Sequence, residues 1–390
     1  MRLLFITQTK VSLKQDGYYA FPPLAKLMEM LSPLYAEVEL CVPVSDEPVS
    51  RNTSKLDIDN LKISPLPFYF RRWEVNALRH PFRLYSSLRS HIRDADTVLI
   101  SVPNYLSVVA WLTCMLARKR FVIRMAGNWA EVTQNMFHKK GMYILGNAAG
   151  WIHHMVTKAI VKTASLAISN GQELVNIYGR GHKHVVAVIS STYRKIDIAT
   201  TIAGGNSEEL RILYVGRFDL YKGILELLRA CHDMWEEGLK FRLILVGDGP
   251  RKEDFNKEAE RLGILDKVDF TGWVPIDKLK EIYRSCDIFT LPSYSEGMAK
   301  VVPEAMANGL ATVVTRVGSL PEIVQEGKTG LIVTPKDVPS LQEALRKLIV
   351  DKPLRQSMAW AGLERSQKFT IESEREHVRA ALVKHDLLKD

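Results

Sequence analysis

Short runs of apolar residues alternate with longer segments of mixed character along almost the whole chain. In the first half these runs lie near residues 2–7, 37–43, 97–102, 120–125, 165–169 and 185–189. In the second half they lie near residues 210–215, 241–246, 268–271, 288–291, 311–315 and 331–333. Apolar runs of about four to eight residues are typical of buried strands, and helical segments between them connect parallel strands. The pattern predicts an α/β fold with two doubly wound, Rossmann-like domains.

The length of the chain and one polar segment predict the domain boundaries. A chain of 390 residues exceeds what a single hydrophobic core usually organises. The polar segment from Ser190 to Asn206 ends in a glycine pair and has the composition of a linker. We expect a first domain over residues 1–200 and a second over residues 207–365. A C-terminal helix at about residues 366–390 is expected to pack back on the first domain.

The basic charge of the protein is concentrated in its first half. Residues 1–200 hold 25 Lys and Arg against 14 Asp and Glu, a net charge of +11, whereas the remainder has a net charge of −2. No recognised nucleic-acid motif accompanies this charge, so we expect no nucleic-acid partner. Arginines and aromatic residues are mixed over residues 68–73, and basic residues continue to Arg93. This segment predicts peripheral contact with an anionic membrane, with an ordinary solvated surface as the alternative.

Cysteine usage and hydropathy favour a cytoplasmic protein. The four cysteines are far apart and form no Cys-x-x-Cys pair, which argues against a disulfide framework or a zinc ribbon. The first apolar run is too short for a signal peptide. Pro103 and Asn104 interrupt the longest uncharged stretch, residues 98–117, so no transmembrane span is predicted.

The loop Gly216-Arg217-Phe218-Asp219-Leu220-Tyr221-Lys222-Gly223 follows a predicted strand and leads into a helix. Gly216 permits a turn. Arg217 and Lys222 place two cations beside a helix N-terminus, where an anion is already favoured. This loop has the chemistry of a diphosphate clamp.

A second polar loop follows the apolar run at residues 288–291. Glu296 lies in the loop, whereas Glu304 lies on the helix that Pro303 begins and Gly309 ends. Two such carboxylates can accept hydrogen bonds from sugar hydroxyls, and the N–H groups of the intervening turn can face a phosphate. The turn consists of Gly297, Met298, Ala299, Lys300 and Val301.

These two motifs and the later segment VGSLPEIVQEGKTGLIV, residues 317–333, closely resemble the retaining, nucleotide-sugar-dependent GT4 glycosyltransferases. The resemblance covers about residues 209–350, and the first domain matches only in layout. It implies the GT-B architecture, in which two Rossmann-like domains face each other across a donor cleft. It also implies transfer of a sugar from a UDP- or GDP-sugar, with retention at the anomeric carbon.

The same resemblance assigns roles to individual residues. Arg217 and Lys222 would bind the donor diphosphate, Glu296 the hydroxyls of the donor sugar, and Glu304 the ribose. Trp273 and Val274 would flank the nucleobase. Gly247, in a glycine-containing turn after another predicted strand, is interpreted as part of a second loop lining the donor cleft.

The first domain departs from the pattern of the family. Asp16-Gly17-Tyr18 offers one glycine where the family has two, so Gly17 is the candidate for the loop after strand one. Arg124 to Asn128 stands where a histidine is expected. Asn128, with Arg124, is the candidate for the missing contact to sugar or acceptor, and an N-cap role for Asn128 is the alternative.

No cofactor or metal is expected, because the nucleotide sugar is a substrate. Asp57-Ile58-Asp59 lacks the context of a metal-binding DxD motif, and His153 and His154 are adjacent rather than three or four residues apart. The predicted acceptor is a glycan or a lipid-linked precursor of surface polysaccharide or lipopolysaccharide. A glycosidase is disfavoured because it needs both carboxylates across one bond. A sugar-nucleotide epimerase and a catalytically decayed binding protein remain alternatives.

Overall fold

The computed structural model describes residues 1–45, 53–67, 81–138, 141–203 and 209–389. The chain folds into two compact units. The first consists of Met1–Ile189 together with Glu374–Asp390, and the second is Ser190–Ser373. Each unit is built around a parallel sheet of its own, which confirms the α/β prediction.

The strands of the first unit form a seven-stranded parallel sheet and a smaller sheet. They are β1 (Arg2–Ile6), β2 (Val11–Lys14), β3 (Gly17–Ala20), β4 (Glu37–Val42), β5 (Val44–Ser45), β6 (Ser54–Lys55), β7 (Leu61–Pro65), β8 (Thr97–Val102), β9 (Phe121–Met125), β10 (Leu166–Asn170) and β11 (Val185–Val188). The large sheet has the order β11-β10-β9-β8-β1-β4-β7. Its strands match the apolar runs, since a strand covered by helices on both faces is apolar at nearly every position.

Helices flank this sheet and connect its strands. They are α1 (Pro22–Leu31), α2 (Pro81–Asp94), α3 (Tyr105–Leu116), α4 (Trp129–His138), α5 (Tyr143–Thr163) and α6 (Gln172–Leu174). Asn104 caps α3 by accepting a hydrogen bond from the Ser107 N–H at 2.7 Å, so the same residue ends the preceding strand segment and begins the helix. Helices α4 and α5, in the segment between residues 129 and 163, pack against each other.

The small sheet, β5-β2-β3-β6, is a feature that the hydropathy pattern does not predict. Gln15 and Asp16 form the turn of its β2–β3 hairpin, and Gly17, which follows the turn as the first residue of β3, has φ +134°. The glycine predicted for the loop after strand one therefore lies at a hairpin turn. A bare backbone suits this turn, because side chains rarely adopt that conformation.

The second unit contains a six-stranded parallel sheet. Its strands are β12 (Leu210–Val215), β13 (Phe241–Val246), β14 (Val268–Gly272), β15 (Ile288–Leu291), β16 (Ala311–Thr315) and β17 (Gly330–Val333). Its helices, ending with one that continues into the first unit, are α7 (Ile224–Glu236), α8 (Lys252–Arg261), α9 (Ile276–Arg284), α10 (Val301–Ala307), α11 (Leu320–Ile323), α12 (Val338–Val350), α13 (Lys352–Ser366) and α14 (Ile371–Lys384). The sheet order is β14-β13-β12-β15-β16-β17.

The C-terminal residues complete the first unit. Glu374 on α14 forms an ion pair with Arg124 at 2.8 Å, and both side chains are buried. Arg375 donates to the backbone oxygen of Met30 at 3.0 Å, and Thr97 donates to that of Leu387 at 2.9 Å. Arg124 thus holds a helix from the far end of the sequence, which explains its burial without a role in binding. The suggestion that Arg124 supplies a sugar contact is therefore wrong.

The observed boundaries differ from the predicted ones. Residues from Ser190 onward belong to the second unit, because the segment interpreted as a linker packs on it. The Ala199 N–H donates to the Ala307 oxygen at 2.8 Å, and the Ala203 N–H donates to the Gly309 oxygen at 2.9 Å. Polar composition marks this segment as non-helical, but its backbone hydrogen bonds tie it to the unit.

Within the described ranges, no helix combines the length and the apolar character needed to cross a bilayer. The basic and aromatic residues 68–73, on which the predicted membrane contact rests, lie outside the described residues, as does Arg79. Arg83, Arg89 and Arg93 are residues of helix α2.

Candidate active site

The site lies where the second sheet reverses its strand order. The chain moves outward from β12 to β14 and then returns to β15 on the other side of β12. In doubly wound sheets, ligands bind beside the carboxyl ends of the strands at this reversal. The loops that follow β12 and β15 are the two predicted motif loops, so the fold brings them together.

Close backbone contacts hold the neighbouring loops in place. The Gly216 N–H donates to the Val246 oxygen at 3.0 Å, and the Gly247 N–H donates to the Gly272 oxygen at 3.0 Å. Gly247 has φ +144°, and a Cβ there would lie 1.9 Å from the Gly216 oxygen. Glycine is required at this position because any side chain would push the two loops apart.

Lys222 and Glu296 form the polar centre of the site. The Lys222 ammonium donates to Glu296 Oε1 at 2.7 Å, and the Ser293 hydroxyl donates to the same oxygen at 2.6 Å. Gly223, which has φ +70°, lets the chain enter α7 directly after Lys222, and a Cβ there would lie 2.0 Å from the Pro292 oxygen. Among the described residues, Glu296 Oε2 receives no hydrogen bond, and it can accept one from a ligand.

Arg217 lies in the same loop but is held differently. Its side chain is 66% exposed, and its Nε atom is 3.9 Å from an Asp219 carboxylate oxygen. Its backbone oxygen accepts a hydrogen bond from the buried Tyr214 hydroxyl at 3.2 Å. The backbone of Arg217 is therefore fixed while its guanidinium remains accessible to an incoming anion.

Glu304 is held by hydroxyl groups rather than by a cation. Its two carboxylate oxygens accept hydrogen bonds from the hydroxyls of Thr192 and Tyr283. Burial raises the pKa of the Glu304 carboxyl above its ordinary value, and the hydrogen bonds from Thr192 and Tyr283 offset only part of that effect. The site thus contains one carboxylate paired with a cation and one held by hydroxyls.

The turn between these carboxylates has one internal hydrogen bond. The Lys300 N–H donates to the Met298 oxygen at 3.1 Å, and contact of the Met298 to Lys300 amides with phosphate stays a prediction. A tight turn before a helix uses its own carbonyls as acceptors. Gly297 is exposed, Ala299 is buried, and Val301 begins α10.

Trp273 and Val274 follow β14 at the same edge of the sheet. The indole is exposed and Val274 is half-buried. The Gly247 N–H bond to the Gly272 oxygen brings the Gly247 loop beside them, and their contact with a nucleobase stays a prediction.

Asn128 lies in the first unit, directly after β9 and before α4. Its Oδ1 atom accepts a hydrogen bond from the Tyr178 hydroxyl at 2.7 Å. Of the two neighbouring histidines, His153 contacts the Thr133 hydroxyl at 2.8 Å, and His154 packs against the Tyr178 ring. Tyr178 therefore joins Asn128 to the α5 helix.

Among the described residues, no group of three or more His, Cys, Asp and Glu side chains is arranged to hold a metal ion.

Sequence reasoning missed three residues that orient the candidate carboxylates. Thr192 comes from the segment interpreted as a linker, Tyr283 from α9, and Ser293 from the end of the β15 loop. Only Ser293, three residues before Glu296, carried a local signal, because a short side chain at that spacing can reach back to a loop carboxylate.

The second unit matches a known family of domains. Residues 196–365 match the family model described as Glycosyl transferases group 1. The match includes Arg217, Lys222, Glu296 and Glu304.

Two named proteins are similar in sequence. Sulfoquinovosyl transferase SQD2 of Arabidopsis thaliana is 36% identical over 180 residues, which are 45% of this chain and 34% of that protein. Protein CapJ of Staphylococcus aureus is 25% identical over 364 residues, which are 91% of this chain and 88% of CapJ. The match with SQD2 thus spans about a third of that relative's length, whereas the match with CapJ extends over both units.

The solved structure of HepE from Anabaena, in complex with UDP, covers 98% of this chain and 100% of its own, with a TM-score of 0.73 and 17% identity. The chain has the GT-B fold. The fold expected from the sequence is thereby confirmed.

Proposed function

We propose that the protein is a glycosyltransferase that moves a sugar from a nucleoside diphosphate to an acceptor hydroxyl. The observation that carries this proposal is the Lys222–Glu296 ion pair at the strand-order reversal of a glycosyltransferase group 1 domain. A cation for phosphate and a carboxylate oxygen for sugar hydroxyls then lie within one hydrogen bond of each other. Such a pair is suited to the junction between a diphosphate and its sugar.

In the proposed reaction, the bond between the anomeric carbon and the β-phosphate oxygen breaks, and its electron pair leaves with the diphosphate. Lys222 and Arg217 stabilise the negative charge that develops there, without reorganising during the reaction. The acceptor oxygen bonds to the anomeric carbon, and its proton passes to the leaving diphosphate. Glu296 orients the sugar hydroxyls, and we propose that the anomeric configuration is retained, as in the family that the motifs resemble.

The proposed donor is a UDP- or GDP-sugar. Glu304, with its raised pKa, would accept hydrogen bonds from the ribose hydroxyls, and Trp273 and Val274 would flank the base. HepE, which shares the fold, has been solved with UDP and with UDP-glucose, which supports a uridine nucleotide as the first donor to test. We propose no metal or cofactor in this site.

The proposed acceptor is a glycan or lipid-linked precursor of a surface polysaccharide, bound by the first unit at the inner face of a membrane. The net charge of +11 over residues 1–200 supports this proposal, because such charge attracts anionic lipid and lipid-linked phosphate. We propose that Asn128, fixed by Tyr178, contacts the transferred sugar or the acceptor, and that Gly17 lies close to the same substrates.

A thermal-shift screen with nucleoside diphosphates tests donor binding. UDP or GDP should raise the melting temperature, because a ligand at about 100 times its Kd stabilises the folded state by about 2.7 kcal/mol. Lys222→Ala should reduce the shift, whereas the exposed Lys328→Ala should retain it. If no nucleoside diphosphate or nucleotide sugar shifts the transition, the protein is not a nucleotide-sugar enzyme.

The two carboxylates should differ in their kinetic effects. Glu304→Gln should raise the donor KM by on the order of tenfold, because it weakens a charged hydrogen bond to a ribose that is equally present in ground and transition states. Glu296→Gln should act more on kcat, since the sugar that it contacts changes shape and charge. Steady-state kinetics with saturating acceptor provides the measurement, and the opposite pattern would mean that the two roles are exchanged.

A further inference from the structure

Over residues 143–155, helix α5 turns its large apolar side chains toward solvent, whereas Ile160 and Val161 near its end are buried in the core. Ile144 is 86% exposed and Trp151 is 64% exposed, and Met155 continues the same stripe one turn later. Spacings of three and four residues place side chains on one face of a helix. The exposed apolar members of this face are Ile144, Leu145, Ala148, Trp151, Ile152 and Met155.

Before Ile160, the opposite face of α5 is made of small residues and packs on the protein. Gly146, Gly150 and Thr157 are buried there. A Cβ at Gly150 would lie 2.6 Å from the Gln134 side chain of α4, so the close packing of the two helices depends on this glycine. A surface helix usually buries its large apolar residues and exposes its polar ones. Residues 143–155 of α5 have the reverse arrangement, which is expected of a helix segment whose outer face contacts something apolar.

Helix α3 extends this apolar surface. The Tyr105 and His153 rings are 6.0 Å apart, and the Trp111 indole donates to the Thr163 hydroxyl at 2.8 Å. These contacts place α3 beside α5. The side chains that α3 exposes are also apolar: Tyr105, Leu112, Met115 and Leu116. We call the exposed sides of α3 and α5 the docking face.

Positive charge accompanies the docking face. Neither α3 nor α5 contains an aspartate or a glutamate. Lys158 and Lys162 are exposed and continue the apolar stripe of α5, and Arg118 is exposed just after the end of α3. Apolar side chains next to cations fit the boundary between acyl chains and anionic headgroups. A second copy of the chain would fit less well, because its own cations would meet these without carboxylates on either helix to neutralise them.

We propose that the docking face binds the surface of an anionic bilayer, with the apolar side chains of α3 and α5 inserted below the headgroups. Lys158, Lys162 and Arg118 contact the lipid phosphates. The docking face is made of residues of the first unit, whereas Lys222 and Glu296 belong to the second, and its function does not depend on the proposed glycosyl transfer. Lipid binding and donor binding are therefore measured independently, so either proposal can fail alone.

Cosedimentation with vesicles tests the proposal. The full chain is mixed with vesicles of phosphatidylcholine alone, or of equal parts phosphatidylcholine and phosphatidylglycerol. We expect binding to the anionic vesicles that decreases at high salt without vanishing, since apolar insertion is not screened. Replacing Ile144 and Trp151 together by serine should weaken this binding by roughly tenfold or more. Trp360→Ser removes a tryptophan that is 50% exposed on α13, and it should bind like the unmodified protein.

The folded state and the nucleotide binding of each variant are measured beside its vesicle binding. Both variants should keep the melting temperature and the nucleotide-induced shift of the unmodified protein, which shows that they are folded. Unchanged vesicle binding by the Ile144→Ser, Trp151→Ser variant would overturn the proposal, as would failure of the unmodified protein to bind either vesicle. Loss of binding only when Arg71, Arg72 and Trp73 are replaced by serine would assign the contact to that segment instead. A lipid-free dimer that Trp151→Ser dissociates would identify a second copy as the occupant and would also overturn the proposal.

Discussion

Replacing Lys222 by alanine should lower turnover by on the order of 100-fold, the usual cost of removing a fixed electrostatic contact to a developing negative charge. Two effects combine in this variant. The leaving diphosphate loses a cation, and Glu296 loses the ammonium 2.7 Å from its Oε1 atom. The fold should survive, because the site lies on loops at one edge of the sheet. The rate of sugar transfer at saturating donor and acceptor is the measurement.

Arg217→Ala provides a comparison within the same loop. Its guanidinium is exposed and makes only a distant contact with Asp219, so its removal should affect turnover without disturbing Glu296. Lys222→Ala and Glu296→Gln should not be additive when combined, because the two side chains are in direct contact. Near-normal turnover in both the Arg217→Ala and the Lys222→Ala single variants would remove the assignment of this loop to the diphosphate.

Glu374→Ala should destabilise the first unit by about 3–5 kcal/mol, because it leaves the buried Arg124 guanidinium without its carboxylate partner. Glu376, exposed on the same helix, provides the matched control, and Glu376→Ala should change stability little. Urea denaturation followed by circular dichroism measures both variants. Equal, small effects of the two substitutions would show that the buried pair does not hold α14 in place.

How much of this structure the sequence predicts depends on how far apart in the chain the interacting residues lie. The parallel strands are predictable because their burial on both faces produces continuous apolar runs. The motif loops are predictable as a pair because parallel strands direct their carboxyl ends to the same edge of a sheet. The contact between Lys222 and Glu296 connects residues that are 74 positions apart, and only the strand order places them together.

Other features depend on contacts that no local pattern encodes. Thr192 is a polar residue in a polar segment, and its bond to Glu304 depends on how that segment packs on α10. Tyr283 resembles an ordinary core residue of an amphipathic helix. The small strands β5 and β6 have only two residues each, too few to produce an alternating pattern. The reversed exposure over residues 143–155 of α5 becomes visible only when Gly150 is seen to pack on α4.

The return of α14 to the first unit affects the order in which the chain folds during synthesis. The first 189 residues leave the ribosome before the residues that complete their unit. Until Glu374 has been made, Arg124 lacks its buried carboxylate partner, and the side chain of Thr97 lacks the backbone oxygen of Leu387. The second unit is continuous in sequence and has no such dependence. The part of the protein that is translated first is therefore completed last.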